Sequence, residues 1–410
     1  MTLTHPLNTD LETVASAQGR LLESLSPLGA ETVSLERALG RVLAEEVVAE
    51  SDLPAFDNSA MDGYAVRAGD IAEATRDRPV TLPVHAESRA GAVPPDLPEG
   101  AAMRIMTGAQ LPHGADTVVK QEDSRRDGAS VTFDLAARLG TDVRRRGNDM
   151  RAGTVVLSPG RELTSVDVGV AAALGRSHLQ VGRRPRVAVL ATGDELVPAG
   201  TELLPAQVTD SNSPMLVAAV QEAGGEPVPL GISEDTPAAI RRVLDGARGC
   251  DVIVSSAGVS VGDHDHVRAV VAELGNIMTW RIAMRPGKPL LIGSVRDALY
   301  LGLPGNPVSS SVTFELFARP AIRALQGAAE PHRRRIQVRL GEDMEKPAGL
   351  ETYTRAMLHP VNGALPVATS SGGQGSAMLG SLAAADCLLV LPAEASVLES
   401  GRVVEAIPLR

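Results

Sequence analysis

The sequence predicts a multidomain protein of the α/β and β classes, with a doubly wound α/β domain near its centre. Strands and helices alternate between Arg186 and Leu325, which is typical of a mostly parallel sheet covered by helices. Short β-like runs broken by Gly and Pro fill the region from Phe56 to Val143, and β-like runs return after Gly327. These two regions indicate small β domains on either side of the α/β domain.

Helical patterns flank the first β region. Thr9 and Glu12 form a capping box before a run of leucines that predicts a helix up to Leu25. A second helical pattern covers Leu35–Val48, and a third helix begins at the capping segment Thr164–Asp167. We therefore expect a helical N-terminal part that is interrupted by an inserted β domain.

Changes in pattern along the chain give the domain boundaries. A chain of 410 residues is too long for one ordinary core. We predict a helical N-terminal and linker domain over residues 1–50 and 144–181, an inserted β domain over 51–143, an α/β domain over 182–328 and a C-terminal β domain over 329–410.

Composition excludes several classes of partner. The net charge of −11 argues against a nucleic-acid partner bound through its phosphates. No apolar run approaches membrane-spanning length and no signal-peptide pattern is present, so we expect no membrane association and a cytoplasmic protein.

Cys250 and Cys387 lie in or beside apolar runs, which favours buried thiols and leaves a disulfide between them as the alternative.

Two glycine-punctuated loops are the strongest sign of a binding site. Ser255–Asp263 follows the apolar run Asp251–Val254, and Leu303–Ser309 follows Ala298–Leu301. A turn between a strand and a helix directs unpaired backbone N–H groups and the positive end of a helix dipole at one point, which suits a phosphate. The candidate substrate-binding residues in these loops are Ser256, Gly258, Ser260, Gly262, Pro304, Gly305, Asn306 and Ser309.

Carboxylates follow three strands of the same predicted sheet, at Glu195, Asp235 and Asp265. Because the carboxyl ends of parallel strands meet at one edge, these residues are candidate ligands for Mg²⁺ beside a bound phosphate. Each acidic turn taken alone also fits a helix cap. His264 and His266 flank Asp265, which suggests a transition-metal site as an alternative, but polar residues at the start of a helix are a commoner explanation.

Basic residues gather after the strand-like segment Asn276–Trp280. Arg281 and Arg285 are four residues apart and lie close to Lys288, so the three side chains can concentrate positive charge on an oxyanion. A solvated cationic edge is the alternative interpretation of the same residues.

Two further motifs lie outside the α/β domain. Phe56–Arg67 combines two aromatic residues with two carboxylates, which fits either a tight structural turn or part of a site. Arg144–Asp149 is a dense basic run that ends on an acid. Such a run is usually a solvated loop, but three adjacent guanidiniums in an acidic protein also suit an anionic substrate.

Together these motifs resemble the molybdopterin molybdenumtransferases, the MoeA family. The resemblance covers nearly the whole chain, and the motifs occur in the family order. They are Phe56–Arg67, Arg104–Ala109, Arg144–Asp149, Thr192–Leu196, Gly258–Gly262, Pro286–Pro289 and Leu303–Ser309. The chain departs from the family at Arg281 and Arg285, where lysine is common, and at Ala257, where glycine is common.

The resemblance implies a particular architecture and set of site residues. It implies a homodimer of subunits with an elongated helical N-terminal part, an inserted β domain, an α/β molybdopterin-binding domain and a C-terminal β-barrel-like domain. It also implies a site between the α/β domain of one subunit and the inserted domain of the other. The residues at family site positions are Asp62, Thr107, Asp149, Glu195, Asp235, Asp265, Arg281, Arg285, Arg355 and Ser376.

The implied activity is insertion of molybdenum from molybdate into adenylylated molybdopterin, with release of AMP. Mg²⁺ near Glu195, Asp235 and Asp265 would polarise the phosphoanhydride, while loop amides and the basic residues, Lys288 included, would neutralise the oxyanions. We expect a separate molybdopterin adenylyltransferase to supply the substrate.

Two other functions fit the same α/β domain. A scaffold protein would bind a receptor through the module, as gephyrin does with a similar one. A nucleotide hydrolase would turn over free nucleotides without molybdate, and it would leave the inserted-domain motifs without a role.

Overall fold

A computed structural model describes residues 11–257 and 266–409, and the side chains there except those of Thr279 and Trp280. The predicted capping residue Thr9 lies outside these ranges. Four predicted site residues also lie outside them: Gly258, Ser260, Gly262 and Asp265. Within the described ranges, no helix has the length and apolar character needed to cross a membrane.

The chain divides into two compact units. The first comprises residues up to Glu45, Pro159–Thr164 and the chain from His178 onward. The second comprises Glu46–Ser158 and Ser165–Ser177.

The leucine spacing near the N-terminus correctly predicts helix α1 (Val14–Glu23). Thr13 caps this helix, because its side-chain oxygen accepts a hydrogen bond from the N–H of Ser16 at 3.2 Å. The helix packs Val14 and Leu21 into the core of the first unit.

The predicted helix over Leu35–Val48 is wrong. Between strands β1 (Ala30–Ser34) and β2 (Val47–Val48) there is only one 3₁₀ turn. Leu43 instead forms a β-bridge to Val181, so backbone pairing with a distant segment overrides the helical pattern.

The inserted region forms a six-stranded sheet, as its β-like runs predict. Its strands follow β3 (Asn58–Ser59) and are β4 (Gly63–Val66), β5 (Val80–Ser88), β6 (Ala102–Ile105), β7 (Thr117–Lys120), β8 (Ser124–Asp127) and β9 (Ser130–Phe133). The sheet order is β7-β4-β6-β5-β9-β8, and only β5 and β6 are parallel. Tyr64 and Phe133 pack edge to face in its core, with ring centroids 6.2 Å apart.

Short elements lead from the inserted sheet to the α/β domain. They are β10 (Val143–Arg144), β11 (Val155–Leu157), α2 (Ser165–Ala173) and β12 (His178–Gly182). β10 pairs with β3, β11 with β2, and β12 with β1. The helix expected after the capping segment at residues 164–167 is thus present as α2.

The predicted alternation of strands and helices is confirmed in the α/β domain. Its elements are β13 (Arg186–Thr192), β14 (Leu196–Val197), β15 (Val208–Thr209), α3 (Asn212–Glu222), β16 (Glu226–Ser233), α4 (Pro237–Gly246), β17 (Val252–Ser256), α5 (His266–Leu274), β18 (Gly275–Arg281), β19 (Met284–Arg285), β20 (Pro289–Val295), β21 (Ala298–Leu303), α6 (Pro307–Thr313), a π-helical turn (Phe314–Ala318) and α7 (Arg319–Leu325). The main sheet has the order β16-β13-β17-β21-β20-β18. Its first four strands are parallel, and β20 is antiparallel to both of its neighbours, β21 and β18.

Helices cover both faces of this sheet. Along β13, Val187 and Val189 enter a core shared with α1, α3 and α6, whereas Ala188 and Leu190 enter a second core shared with α4 and α5. The period-two alternation of a strand therefore divides one apolar run between two cores.

The C-terminal region closes into a five-stranded barrel. Its elements are β22 (Ile336–Leu340), β23 (Met344–Glu345), β24 (Glu351–His359), β25 (Val367–Ser370), α8 (Leu379–Ala383), β26 (Cys387–Leu391), β27 (Val397–Leu398) and β28 (Val403–Pro408). The ring runs β24-β25-β22-β28-β26 and returns to β24. Cys250 and Cys387 are free and buried, so the thiol interpretation is confirmed.

We predict that Gly63→Ala destabilises the inserted sheet. A Cβ at this position would lie 2.0 Å from the carbonyl oxygen of Val119, so one of two paired strands must shift. We expect the free energy of unfolding to fall by about 1–3 kcal/mol, measured by chemical denaturation. Gly69→Ala is the control, because nothing lies within 4 Å of its added methyl group. Equal stability of the two variants would contradict the prediction.

Candidate functional site

The parallel strands bring their carboxyl ends to one edge of the α/β sheet. β13, β16, β17 and β21 are consecutive neighbours there, and the loops that follow them contain most of the predicted site residues of this domain. An open α/β sheet binds ligands at this edge.

A cavity of about 690 Å³ lies beyond the ends of β13 and β16. Its wall includes the carboxylate residues Asp194, Asp210 and Glu234 and several apolar side chains. The N–H of Asp235 donates to Oδ1 of Asp194 at 3.0 Å, which joins the two acidic loops. The predicted ligand Glu195 is exposed next to this cavity.

One side chain joins the two glycine-punctuated loops. The amide nitrogen Nδ2 of Asn212 donates to Oγ of Ser256 and to the carbonyl oxygen of Gly305, both at 2.6 Å. Ser256 ends β17 and Gly305 follows β21, so the predicted phosphate loops are held together through the start of α3.

The loop after β21 also contacts the C-terminal domain. Nδ2 of Asn306 donates to Oγ of Ser376 at 3.0 Å, and the N–H of Val308 donates to the Ser376 carbonyl oxygen at 3.1 Å. Ser309 is buried one residue further on. The structure thus brings the predicted binding residues Pro304–Ser309 and Ser376 together.

Arg355 is fully buried beneath the loop that contains Ser376. Its Nε donates to Oγ of Ser381 at 2.9 Å, and its Nη2 donates to the carbonyl oxygens of Gly373 and Gly375 at 2.8 and 3.1 Å. Nη1 is buried, and no described group accepts a hydrogen bond from it. Burial lowers the pKa of this guanidinium.

Three predicted cations lie at the junction between the α/β sheet and the barrel. Arg281 ends β18, and Arg285 lies in β19, which pairs with the barrel strand β24. Within residues 11–257 and 266–409, no carboxylate forms an ion pair with Arg281, Arg285 or Lys288. Arg285 lines a cavity of about 280 Å³ together with Thr354 and Gln374.

In the inserted domain, the structure brings Asp62 and Thr107 into direct contact. The backbone N–H and the hydroxyl of Thr107 both donate to Oδ1 of Asp62 at 2.7 Å. These bonds, the backbone one first, hold the pKa of Asp62 below its ordinary value. Asp149, which follows the inserted domain in the predicted division, donates its N–H to the Leu53 carbonyl oxygen, and no hydrogen bond or ion pair between described groups joins it to Asp62 or Thr107.

Two arginines of the basic run are paired with carboxylates. Nη1 of Arg145 lies 2.6 Å from Oδ2 of Asp57, and Nε of Arg146 lies 2.7 Å from Oδ2 of Asp52. The first pair connects the basic run to the motif Phe56–Arg67, and the second connects it to the segment just before that motif. Both pairs reduce the positive charge that is available to an anionic ligand.

Family comparisons agree with this arrangement. The model for the MoeA N-terminal region (domain I and II) matches residues 12–175, the model for a probable molybdopterin binding domain matches residues 188–324, and the model for the MoeA C-terminal region (domain IV) matches residues 337–409. The chain belongs to the MoeA family.

Individual MoeA relatives match over almost their full length. The molybdopterin molybdenumtransferase of Nostoc sp. is 40% identical over 92% of this chain and 88% of the relative, and that of Haemophilus influenzae is 34% identical over 97% and 98%. The crystal structure of the molybdopterin biosynthesis moeA protein from Pyrococcus horikoshii is 31% identical, with a TM-score of 0.80 over 98% of this chain and 100% of that one. The multidomain fold is therefore that of the MoeA family.

The donor chemistry of the acidic loops fits a magnesium ion only in part. In the part of the chain that the structure describes, no group of three or more His, Cys, Asp or Glu side chains gathers as a metal site. Asp194, Glu195 and Asp235 nevertheless supply carboxylates at adjacent strand ends. Mg²⁺ usually takes only one or two carboxylates and completes its coordination with phosphate oxygens and water.

Sequence reasoning missed three residues that organise the site. Asp194 joins the acidic loops, Asn212 joins the phosphate loops, and Gln374 exchanges two hydrogen bonds with the backbone of Arg355, both at 3.0 Å. Asn212 lies in the Asp-Ser-Asn turn before α3, so that turn was the available signal. Ala257, where glycine is common in the family, adopts a left-handed φ of 78°.

We predict that Thr107→Val raises the pKa of Asp62 toward its ordinary value. The substitution removes the hydroxyl donor and keeps the backbone N–H, so the pKa should rise but stay below that value. A ¹³C NMR titration of the carboxyl group measures the change. Thr132→Val is the control, because its hydroxyl contacts Thr81 in the same domain. An unchanged Asp62 titration midpoint would count against the interpretation.

Proposed function

We propose that this protein is a molybdopterin molybdenumtransferase, which inserts molybdenum from molybdate into adenylylated molybdopterin and releases AMP in molybdenum cofactor biosynthesis. The proposal rests on family membership and on the names of relatives at 32–40% identity. The site supports it, because both substrates are oxyanions and the described loops present donors and cations.

The strongest structural support is the junction between the α/β loop and the barrel loop. Asn306 and Val308 contact Ser376, and the barrel loop that contains Ser376 lies over the buried Arg355. An unpaired buried donor such as Nη1 of Arg355 costs about 1–3 kcal/mol, so a ligand or water oxygen there would recover that free energy. We propose that this junction binds a tetrahedral oxyanion and that molybdate is that anion.

The basic residues would neutralise the substrate charge. Arg281, Arg285 and Lys288 have no ion-pair partner among the described carboxylates, so their charge is available to a phosphate or to molybdate. The arginine side chain offers a planar pair of donors where lysine offers a point charge. We propose that Arg281 and Arg285 bind two oxygens of one anion.

Magnesium completes the proposed chemistry. When bound, Mg²⁺ would polarise the phosphoanhydride as a Lewis acid. Glu195 and Asp235 would hold it, with Asp265 as a third candidate that lies outside the described residues. Ser256 and the loop Pro304–Asn306 would bind the phosphates, as would Gly258, Ser260 and Gly262.

The remaining parts of the proposal concern assembly and location. We propose a cytoplasmic homodimer with the four-domain division predicted above, and a separate adenylyltransferase that supplies the substrate. Asp62 and Thr107 would act on the reacting group from the inserted domain, and Asp149 from the segment that follows it. Neither a receptor scaffold nor a nucleotide hydrolase gains support from a specific contact in the described residues.

The deciding experiment measures AMP release. Purified protein is mixed with adenylylated molybdopterin and Mg²⁺, with and without molybdate, and reconstitution of an apo-molybdoenzyme is followed in parallel. We expect AMP release that depends on molybdate. Release of AMP that is equal without molybdate would support the hydrolase instead, and no release would overturn the transferase.

We predict that Ser376→Ala impairs the use of molybdate. The change removes the hydroxyl that accepts from Asn306, so the junction loses one contact and the loop its fixed position. We expect the molybdate concentration for half-maximal AMP release to rise about tenfold, which corresponds to roughly 1.4 kcal/mol. Ser400→Ala, in an exposed turn of the same domain, is the control and should match the unmodified protein. A normal molybdate dependence in Ser376→Ala would contradict this role.

A further inference from the structure

Asn212 occupies a fixed position at the start of α3. Its backbone N–H and that of Ser213 both donate to Oδ1 of Asp210 at 3.0 Å, so the Asp210 carboxylate caps the helix. Asn212 is 8% exposed. Because Asp210 caps the helix, the Asn212 side chain does not, and it lies beside Ser256 and Gly305 instead.

The hydrogen bonds of Asn212 determine which way its amide group points. The carbonyl oxygen of Gly305 can only accept, so the group within 2.6 Å of it must be the amide nitrogen. The second amide hydrogen then points to Oγ of Ser256, at 2.6 Å. Ser256 Oγ therefore accepts from Asn212, and its own hydroxyl hydrogen remains to be donated to another group.

The backbone pairing of β17 with β21 ends before it reaches Gly305. The register of β17 with β21 ends at Ser256 and Leu303, and the last backbone bond between them joins the N–H of Ala257 to the Leu303 carbonyl oxygen at 3.0 Å. Gly305 lies two residues beyond the last paired residue of β21, and among the described residues the Asn212 amide connects it to Ser256.

We propose that Asn212 is a positioning residue of the phosphate site. Its amide holds the carboxyl end of β17 at Ser256 against the loop after β21 at Gly305, and it orients the Ser256 hydroxyl to donate to a substrate oxygen. This inference rests on the proposed function for the identity of the substrate, and it names a residue outside the set of predicted site positions.

The test compares AMP affinity with thermal stability. We expect Asn212→Ala to weaken AMP binding, measured by isothermal titration calorimetry, by tenfold or more, and to raise KM for adenylylated molybdopterin by a similar factor. Asn212→Ser is a second variant with the same expected result, because serine is tolerated at a helix start and is too short to reach both loops. Melting temperatures show whether each variant is folded.

Gln326→Ala is the matched control. Gln326 follows α7, and its buried side-chain amide lies at the C-terminal end of α3. Its Nε2 donates to the carbonyl oxygens of Ala223 and Ile322 at 3.0 and 2.9 Å. Its removal costs two similar hydrogen bonds far from the strand carboxyl ends. We expect a lower melting temperature and unchanged AMP affinity.

A double-mutant cycle with Ser256→Ala tests whether Asn212 acts through Ser256. If it does, the double variant should bind AMP no more than about threefold more weakly than the weaker single variant, because the two changes remove the same interaction. If the AMP affinity of the double variant falls by the product of the two single losses, the proposal is overturned. It is also overturned if Asn212→Ala binds AMP as tightly as the unmodified protein. These AMP measurements need no molybdate turnover, so a failure of the transferase assay would leave them readable.

Discussion

The site depends on one constraint, the parallel pairing of four strands. β16, β13, β17 and β21 pair in that order, and helices pack on both faces of the sheet. Parallel strands all end at the same edge, so every loop that follows them meets there. The chemistry of the α/β domain then becomes a matter of which side chains those loops contain and how they are held.

These loops are held by side chains more than by backbone bonds. Asn212 joins the end of β17 to the loop after β21, Asp194 joins the loops after β13 and β16, and Asn306 joins the α/β domain to the barrel loop at Ser376. An amide or carboxylate that is already hydrogen-bonded to these loops in the folded protein costs conformational entropy only once, during folding. Such preorganisation lets the site meet a charged ligand without further rearrangement.

Arg355 illustrates how a predicted ligand acquires a second role. The sequence places it among substrate-binding residues, and the structure shows three of its donated hydrogen bonds ending on Ser381, Gly373 and Gly375. Most of the guanidinium therefore supports the loop that contains Ser376. Only Nη1 lacks a described partner, so one donor of the side chain remains for an oxyanion. In a protein of net charge −11, buried or unpaired cations of this kind concentrate positive charge locally.

The sequence alone determined the strand and helix order of the α/β domain, since alternating apolar runs and glycine turns are local signals. It also located Asp62 and Thr107 by motif, though only the fold puts them in contact. The helix expected over residues 35–48 failed because pairing of Leu43 with Val181 outweighs a weak local preference. Asn212 and Asp194 were not selected as site residues for a related reason, although Asp194 lies in the motif Thr192–Leu196. Their roles come from partners 44 and 41 positions away, and only tertiary packing decides which distant groups a side chain can reach.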